Sequence, residues 1–176
     1  AGLSADDIQV VVCATCTPYG MMPASAPLIQ QAIGAHNAAA FDINAICVGF
    51  VAALATGVQF INAGVYERVL VVGSEVMSRI LNWQDRGTCV LFGDGAGAVF
   101  LRGGTRSGAD QGILSTHLPA QGRLGSILYF DGAVGPPDKP GQRGRDGRGW
   151  ALGAGIWGEG RWRGAGSRRS FSGTDR

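Results

Sequence analysis

Two β-rich runs with apolar centres, Val10–Ala14 and Val69–Val72, limit the folds open to this chain. The full runs are IQVVVCATC at residues 8–16 and RVLVVGSEV at 68–76. A strand with one wet face alternates apolar and polar residues; a run apolar at every position suits a strand covered on both sides. Between the two runs lie helix-like patterns and a further strand signal. APLIQQAIGAH (26–36) places Leu28, Ile29, Ala32 and Ile33 on one helical face, with Gly34 near the stop. AAAFDINA leads into a strand, and from Cys47 the segment CVGFVAALATGVQFINAG reads as a helix with Phe50, Leu54, Val58 and Ile61 along one stripe. This alternation predicts βαβ units and a mostly parallel, mixed sheet with helices, an α/β fold. Farther on, MSRILNWQDRG reads as a polar connector or short helix. TCVLFGDGAGAVFLRGG is expected to form a strand, a Gly-rich turn and a second strand, and QGILSTHL a last strand.

The pattern fails after about residue 135. Residues 136–176 contain 11 Gly and eight Arg and keep no period of two or 3.6. Ordering that many glycines costs much backbone entropy, and few aliphatic groups offset it. The expected division is therefore 1–135 as the folded part and 136–176 as a basic tail without order. Residues 1–135 carry six Arg against nine acids; the tail carries nine basic residues against four acids. One reading of the tail is an arm for nucleic acid, with Trp150, Trp157 and Trp162 stacking among the arginines. The favoured reading is a shifted reading frame in GC-rich DNA, which yields Gly, Arg, Ala and Trp codons, so nucleic acid is not expected as a partner. No run of 18 apolar residues suggests a membrane span. The opening AGLSADD lacks the basic and apolar segments of a secretory leader.

Four cysteines, Cys13, Cys16, Cys47 and Cys89, lie in or beside apolar segments and are expected to be free. Cys13 and Cys16 form C-A-T-C, but positions i and i+3 of a strand face opposite ways and no second pair follows, so no metal site is expected. Cys47 sits where a strand through Phe41–Asn44 should give way to a helix at about Val48. Unpaired N–H groups at a helix start favour a thiolate and can hold an oxyanion. Ala45 and Gly49 are small enough for a sharp turn there. A buried cysteine that only packs has the same local pattern, so spacing leaves both readings open. Asp42 and Asn44 are expected to be turn and strand-end hydrogen-bonding residues.

In order along the chain, D-x-N-A-x-C-x-G-F (42–50), V-V-G-S-E-x-x-S-R (71–79) and D-R-G-T-x-x-x-F-G-D-G-A-G-A (85–98) resemble the N-terminal half of a β-ketoacyl-[acyl-carrier-protein] synthase of the type III class, over about residues 7–135. The resemblance implies a thiolase-like fold, here the first of two duplicated halves, in a cytoplasmic homodimer (plastidic in a photosynthetic eukaryote). It implies an acyltransferase of fatty-acid initiation, which condenses a short acyl-CoA, commonly acetyl-CoA, with malonyl-acyl-carrier protein. An acyl-enzyme forms on Cys47 and the malonyl group loses CO₂. Acyl-CoA is then a substrate, the acyl-carrier protein a partner, and no cofactor is permanently bound. A related polyketide or long-chain starter ketosynthase, and a non-catalytic paralogue or scaffold, are the alternatives.

By the same resemblance, Arg86 helps hold the CoA nucleotide. Met22 stands where many members carry a Phe that reaches the partner's acyl pocket. Gly93, Asp94, Gly95, Ala96 and Gly97 make a structural turn beside the active site. No Lys follows these glycines, so a phosphate-binding loop lacks its ligand. The family's decarboxylating His and Asn come from the second half. His36 and His117 match neither, so the full condensation is expected to need groups outside these 176 residues.

Overall fold

The computed structural model describes residues 2–104, 112–124, 128–130 and 152–154. They fall into two compact units. The first takes in the chain up to Glu75 together with the stretch from Asp94 to Pro119, and the second takes in Val76–Gly93 and two short strands.

The first unit is built on a four-stranded sheet. Its strands are β1 (Val10–Ala14), β2 (Ala39–Ile43), β3 (Arg68–Val76) and β4 (Asp94–Arg102), in the order β2-β1-β3-β4. β1 runs parallel to both neighbours, with Ala14 level with Ile43 on β2 and with Gly73 on β3. Helix α1 (Ser25–Ile33) joins β1 to β2, and α2 (Gly49–Asn62) joins β2 to β3. The first crossover steps outward from β1 and the second steps back past it. Crossovers of one hand that reverse direction place their helices on opposite sheet faces. That is why β1 is apolar throughout. Val10, Val12 and Ala14 join Ala53, Val69 and Val71 in one core cluster, while Val11 and Cys13 join Ala26 and Ala35 in the other.

The expected helix faces were partly misassigned. On α2 the buried line is Gly49, Ala53 and Gly57, four residues apart, with Phe50, Leu54 and Ile61 flanking it half-buried. Small residues let the helix axis approach the sheet, which large side chains would prevent. A Cβ at Gly57 would lie 2.9 Å from Leu101 Cδ1 and 3.1 Å from Val69 Cγ1. On α1, Ala26 and Ile29 turn inward, while Leu28, Ala32 and Ile33 are exposed. The helix stops at Gly34, whose left-handed backbone closes the C-terminus.

Three further expectations are corrected. Cys89–Leu91 forms a 3-10 turn, not a strand. Asp94, Gly95, Ala96 and Gly97 are the extended first residues of β4, exposed, not a turn. Residues 112–118 form no strand. In the second unit β5 (Leu128–Phe130) pairs antiparallel with β6 (Leu152–Ala154). Those three β6 residues belong to the tail expected to lack order; backbone pairing with β5 gives them partners that a local reading could not supply. Trp150, Trp157 and Trp162 lie outside the described residues.

Candidate active site

The strand-to-helix junction at Cys47 is assembled from backbone outward. After β2, Asn44 Oδ1 accepts the Ile46 N–H at 3.2 Å, closing a side-chain turn. Ile46 then takes φ = 51°. A β-branched residue in the left-handed region is strained by roughly 1–3 kcal/mol. The sharp turn is thus carried by Ile46, not by Gly49, which has ordinary helical backbone. Ile46–Val48 forms a single 3-10 turn that runs into α2. Cys47 is at its middle and is exposed, unlike Cys13, which is buried. All four cysteines are free.

Three neighbouring features hold this junction. Gly49 lies over the end of β1, where a Cβ would be 3.6 Å from Ala14 Cβ. Phe50, in the first turn of the helix, rests on Gly73 so closely that a Cβ there would sit 2.9 Å from Phe50 Cδ2. Asp42, on β2, sends its carboxylate to the start of α1: Oδ2 accepts Ser25 N–H at 2.8 Å and Oδ1 accepts Ala26 N–H at 2.6 Å. The local N-cap residue, Ala24, offers no side-chain acceptor, so the cap arrives from a neighbouring strand. The strand-end role expected of Asp42 and Asn44 is what the geometry shows. We expect Gly73→Ala to push the Phe50 ring and tilt the first turn of α2. It should destabilise the fold by about 1–2 kcal/mol in urea melts and slow alkylation of Cys47; unchanged values for both would contradict this packing.

Sequence reading passed over Glu75. Its carboxylate gathers the chain just beyond β1: Oε1 accepts Cys16 N–H at 2.8 Å, and Oε2 accepts Thr17 N–H at 3.1 Å, Cys16 Sγ at 3.4 Å and the Thr17 hydroxyl. Thr15 Oγ1 lies 3.5 Å from the same Oε2. The available signal was an acid within an apolar strand, V-V-G-S-E-V, but its partners lie 58–60 residues away. The Cys16 thiol is pushed up to about 12, chiefly by burial and then by the charge of Glu75 and the hydrogen bond to it. Burial, aided by the charges of Asp42 and Glu75, pushes Cys13 up to about 11.

Met22 sits in the loop between β1 and α1 and is 88% exposed, with Tyr19 and Met21 exposed beside it. The loop is tied at its start by Glu75 and at its end by the Tyr19 N–H donating to Ser25 Oγ at 3.1 Å. Arg86 and Gly93 belong to the second unit. Arg86 is exposed and forms no salt bridge among the described residues. Asp85, its sequence neighbour, instead accepts the Gly87 N–H at 3.0 Å and the hydroxyl of buried Thr88 at 2.8 Å. Among the described residues no group of His, Cys, Asp and Glu could hold a metal ion. No described helix is long and apolar enough to cross a membrane.

The family profile of 3-oxoacyl-[acyl-carrier-protein] synthase III matches residues 41–122, which include Cys47 and Arg86. A β-ketoacyl-[acyl-carrier-protein] synthase III of Acidiphilium cryptum is 54% identical over 140 residues, covering 80% of this chain and 43% of that protein. The crystal structure of 3-oxoacyl-[acyl-carrier-protein] synthase III from Aquifex aeolicus superposes with a TM-score of 0.68 at 43% identity, covering 73% of this chain and 41% of that one. A priming β-ketosynthase from the R1128 polyketide pathway superposes at 0.69 with 30% identity, covering 86% of this chain and 43% of that one. The chain therefore matches an enzyme family, β-ketoacyl-[acyl-carrier-protein] synthase III, over most of its length, and its α/β sheet is consistent with the thiolase-like fold. It spans less than half the length of these relatives.

Proposed function

We propose that this chain supplies the acyl-accepting half of a β-ketoacyl-[acyl-carrier-protein] synthase III, with Cys47 as the nucleophile. The observation that carries the reading is the exposed thiol of Cys47, held on a strained turn between a strand end and a helix start. The Cys47 sulfur attacks the carbonyl carbon of an acyl-CoA thioester, the bond to the CoA sulfur breaks, and the thiol proton ends on CoA. The Cys47 backbone N–H is the proposed donor to the oxyanion formed on the way. Arg86 is the proposed contact for the CoA nucleotide, a role suited to its exposed guanidinium. Met22 is proposed to line the acyl pocket of a second copy in a homodimer.

Malonyl-acyl-carrier protein would then lose CO₂, and its carbanion would attack the acyl carbonyl carbon on Cys47, forming a C–C bond, breaking the bond to sulfur and releasing Cys47 as the thiolate. The groups proposed to promote that step belong to the second half of the duplicated fold. The first 135 residues are proposed as the catalytic-half fragment, and the Gly- and Arg-rich remainder as a product of a shifted frame. A starter role in polyketide assembly is the second reading, favoured by the likeness to the R1128 priming ketosynthase. Incubation with radiolabelled acetyl-CoA and longer acyl-CoAs tests both. Label on Cys47, lost in Cys47→Ala, supports acyl acceptance, and the chain length labelled fastest separates the two readings. Folded protein that takes no label from any acyl-CoA would sink the proposal.

A further inference from the structure

Asp85 precedes Arg86 directly and has the charge to be its counter-ion. The geometry gives it another task. Asp85 Oδ1 accepts the Gly87 N–H at 3.0 Å and Oδ2 accepts the Thr88 hydroxyl at 2.8 Å, so both oxygens reach past Arg86 to the residues that follow it. The backbone closes the same turn: the Asp85 carbonyl accepts the N–H groups of Thr88 at 3.2 Å and Cys89 at 3.0 Å. Just upstream, Asn82 Oδ1 accepts Gln84 N–H at 3.1 Å and the Asn82 carbonyl accepts Asp85 N–H at 3.0 Å. Thr88 is wholly buried, Asp85 half-buried and Arg86 exposed. The turn is thus anchored inward at Thr88 and presents Arg86 outward. Among the described residues the salt bridge is Arg68 with Asp7, and no acid is paired with Arg86. The turn is also tight, since a Cβ on Gly87 would lie 3.2 Å from Asp85 Oδ1.

We propose that Asp85 is a positioning residue for the CoA nucleotide: it holds the turn that presents Arg86 while keeping its own charge turned away from the guanidinium. The proposal deepens the function above and rests on it for the ligand. Two effects come from one side chain. Asp85 ties the backbone on both sides of Arg86, so less freedom is lost when a phosphate binds. An arginine with no acid against it also has no ion pair to break before a phosphate takes that place. A carboxylate turned toward Arg86 would oppose the ligand twice, by competing for the guanidinium and by repelling the phosphate. The donors on Gly87 and Thr88 are what hold it the other way.

The test compares two acyl donors on the full chain. One is radiolabelled acetyl-CoA; the other is the labelled acetyl thioester of N-acetylcysteamine, which carries no nucleotide. In Asp85→Ala the acetyl-CoA concentration that half-saturates labelling of Cys47 should rise about tenfold, while the maximal rate and the rate from the nucleotide-free donor stay within about twofold. No change with either donor would overturn the proposal. Should Asp85→Ala lose labelling from both donors, Gly87→Ala takes its place. Its Cβ crowds Asp85 Oδ1, and the same split is expected at about threefold; a loss with both donors or with neither would overturn the proposal. Arg86→Ala should show the split too, and the double variant with Asp85→Ala should be no worse than Arg86→Ala alone; additive losses would overturn it. Asp85→Asn keeps an acceptor for Gly87 N–H and can donate its amide to the Thr88 hydroxyl, so its half-saturation should stay within about threefold of the unsubstituted chain. Arg86 is also read without any acyl donor, by phenylglyoxal and peptide mass spectrometry, against exposed Arg102 and against Arg68, which is paired with Asp7. Arg86 should be modified about as fast as Arg102 and no faster in Asp85→Asn. An Arg86 as slow as Arg68, or several-fold faster in Asp85→Asn, would show that Asp85 had been its ion-pair partner and overturn the proposal. Absence of label on Cys47 from both donors in the unsubstituted chain would defeat the function proposed above, while the phenylglyoxal rates would still decide the role of Asp85.

Discussion

Gly57→Val should be the most damaging single substitution in the described core. Gly57 faces the sheet from the middle of α2, and an added Cβ would already lie 2.9 Å from Leu101 Cδ1, 3.1 Å from Val69 Cγ1 and 3.4 Å from Val71 Cγ2. Leu101 can swing its terminal methyl away. Val69 and Val71 cannot yield in the same way, since both are wholly buried in β3 and have stiff χ1 angles. Valine places two further methyl groups into that contact, so the helix must lift from the sheet or the strand must bend. Overpacking of this kind costs about 3 kcal/mol, which lowers the melting temperature of a chain this size by roughly 6–12 °C. Gly57→Ala should cost far less, about 1 kcal/mol, because alanine's better helix propensity offsets part of the cost of the two tight contacts to Leu101 and Val69. Gln59→Val, on the exposed side of the same helix, serves as the control. Thermal melts of the three variants decide the matter: equal melting temperatures for Gly57→Val and Gln59→Val would mean that α2 does not approach the sheet through its small residues.

Asp42→Ala should come second. The substitution removes both acceptors from the first turn of α1, at 2.8 Å and 2.6 Å, and nothing in the local sequence replaces them because Ala24 has no oxygen to offer. Orphaned N–H groups that had a charged acceptor cost about 1–3 kcal/mol apiece when shielded from water. Some of that is recovered here by solvation, since the bonds are only part-buried. A net loss of about 2–4 kcal/mol is expected in denaturant unfolding. Asp42→Asn keeps one acceptor oxygen and should lose about half as much. Ala24→Ser, placing a hydroxyl at the ordinary capping position, should recover part of the loss in the Asp42→Ala background. A stability unchanged by Asp42→Ala would show that the cross-strand cap carries no weight.

The two substitutions mark where local pattern was and was not sufficient. The place of β3 was legible because Val69–Val72 is an unbroken aliphatic run, opened by Arg68. The end of α1 was legible at Gly34, and the junction at Cys47 was legible because a strand signal and a helix signal meet there. The stripe of α2 was misread because hydrophobic periodicity weights large side chains. The helix instead presents Gly49, Ala53 and Gly57 inward, where closeness of approach outweighs bulk. The Gly-rich run 93–97 was misread for the opposite reason. Glycine suggests a turn locally, yet pairing in the sheet draws Asp94–Gly97 into β4.

Sequence pattern was enough for the β/α alternation, the buried parallel strands and the place of Cys47, since each depends on neighbours within a few residues along the chain. The strain at Ile46, the capping of α1 by Asp42 and the grip of Glu75 on Thr15–Thr17 came only with the folded chain. Isoleucine by propensity avoids the backbone that Ile46 adopts, and the two carboxylates reach partners 16 to 60 residues away. Such contacts arise from strand register, which brings the end of β1 at Ala14 level with Ile43 of β2 and Gly73 of β3, and no window along the sequence contains it.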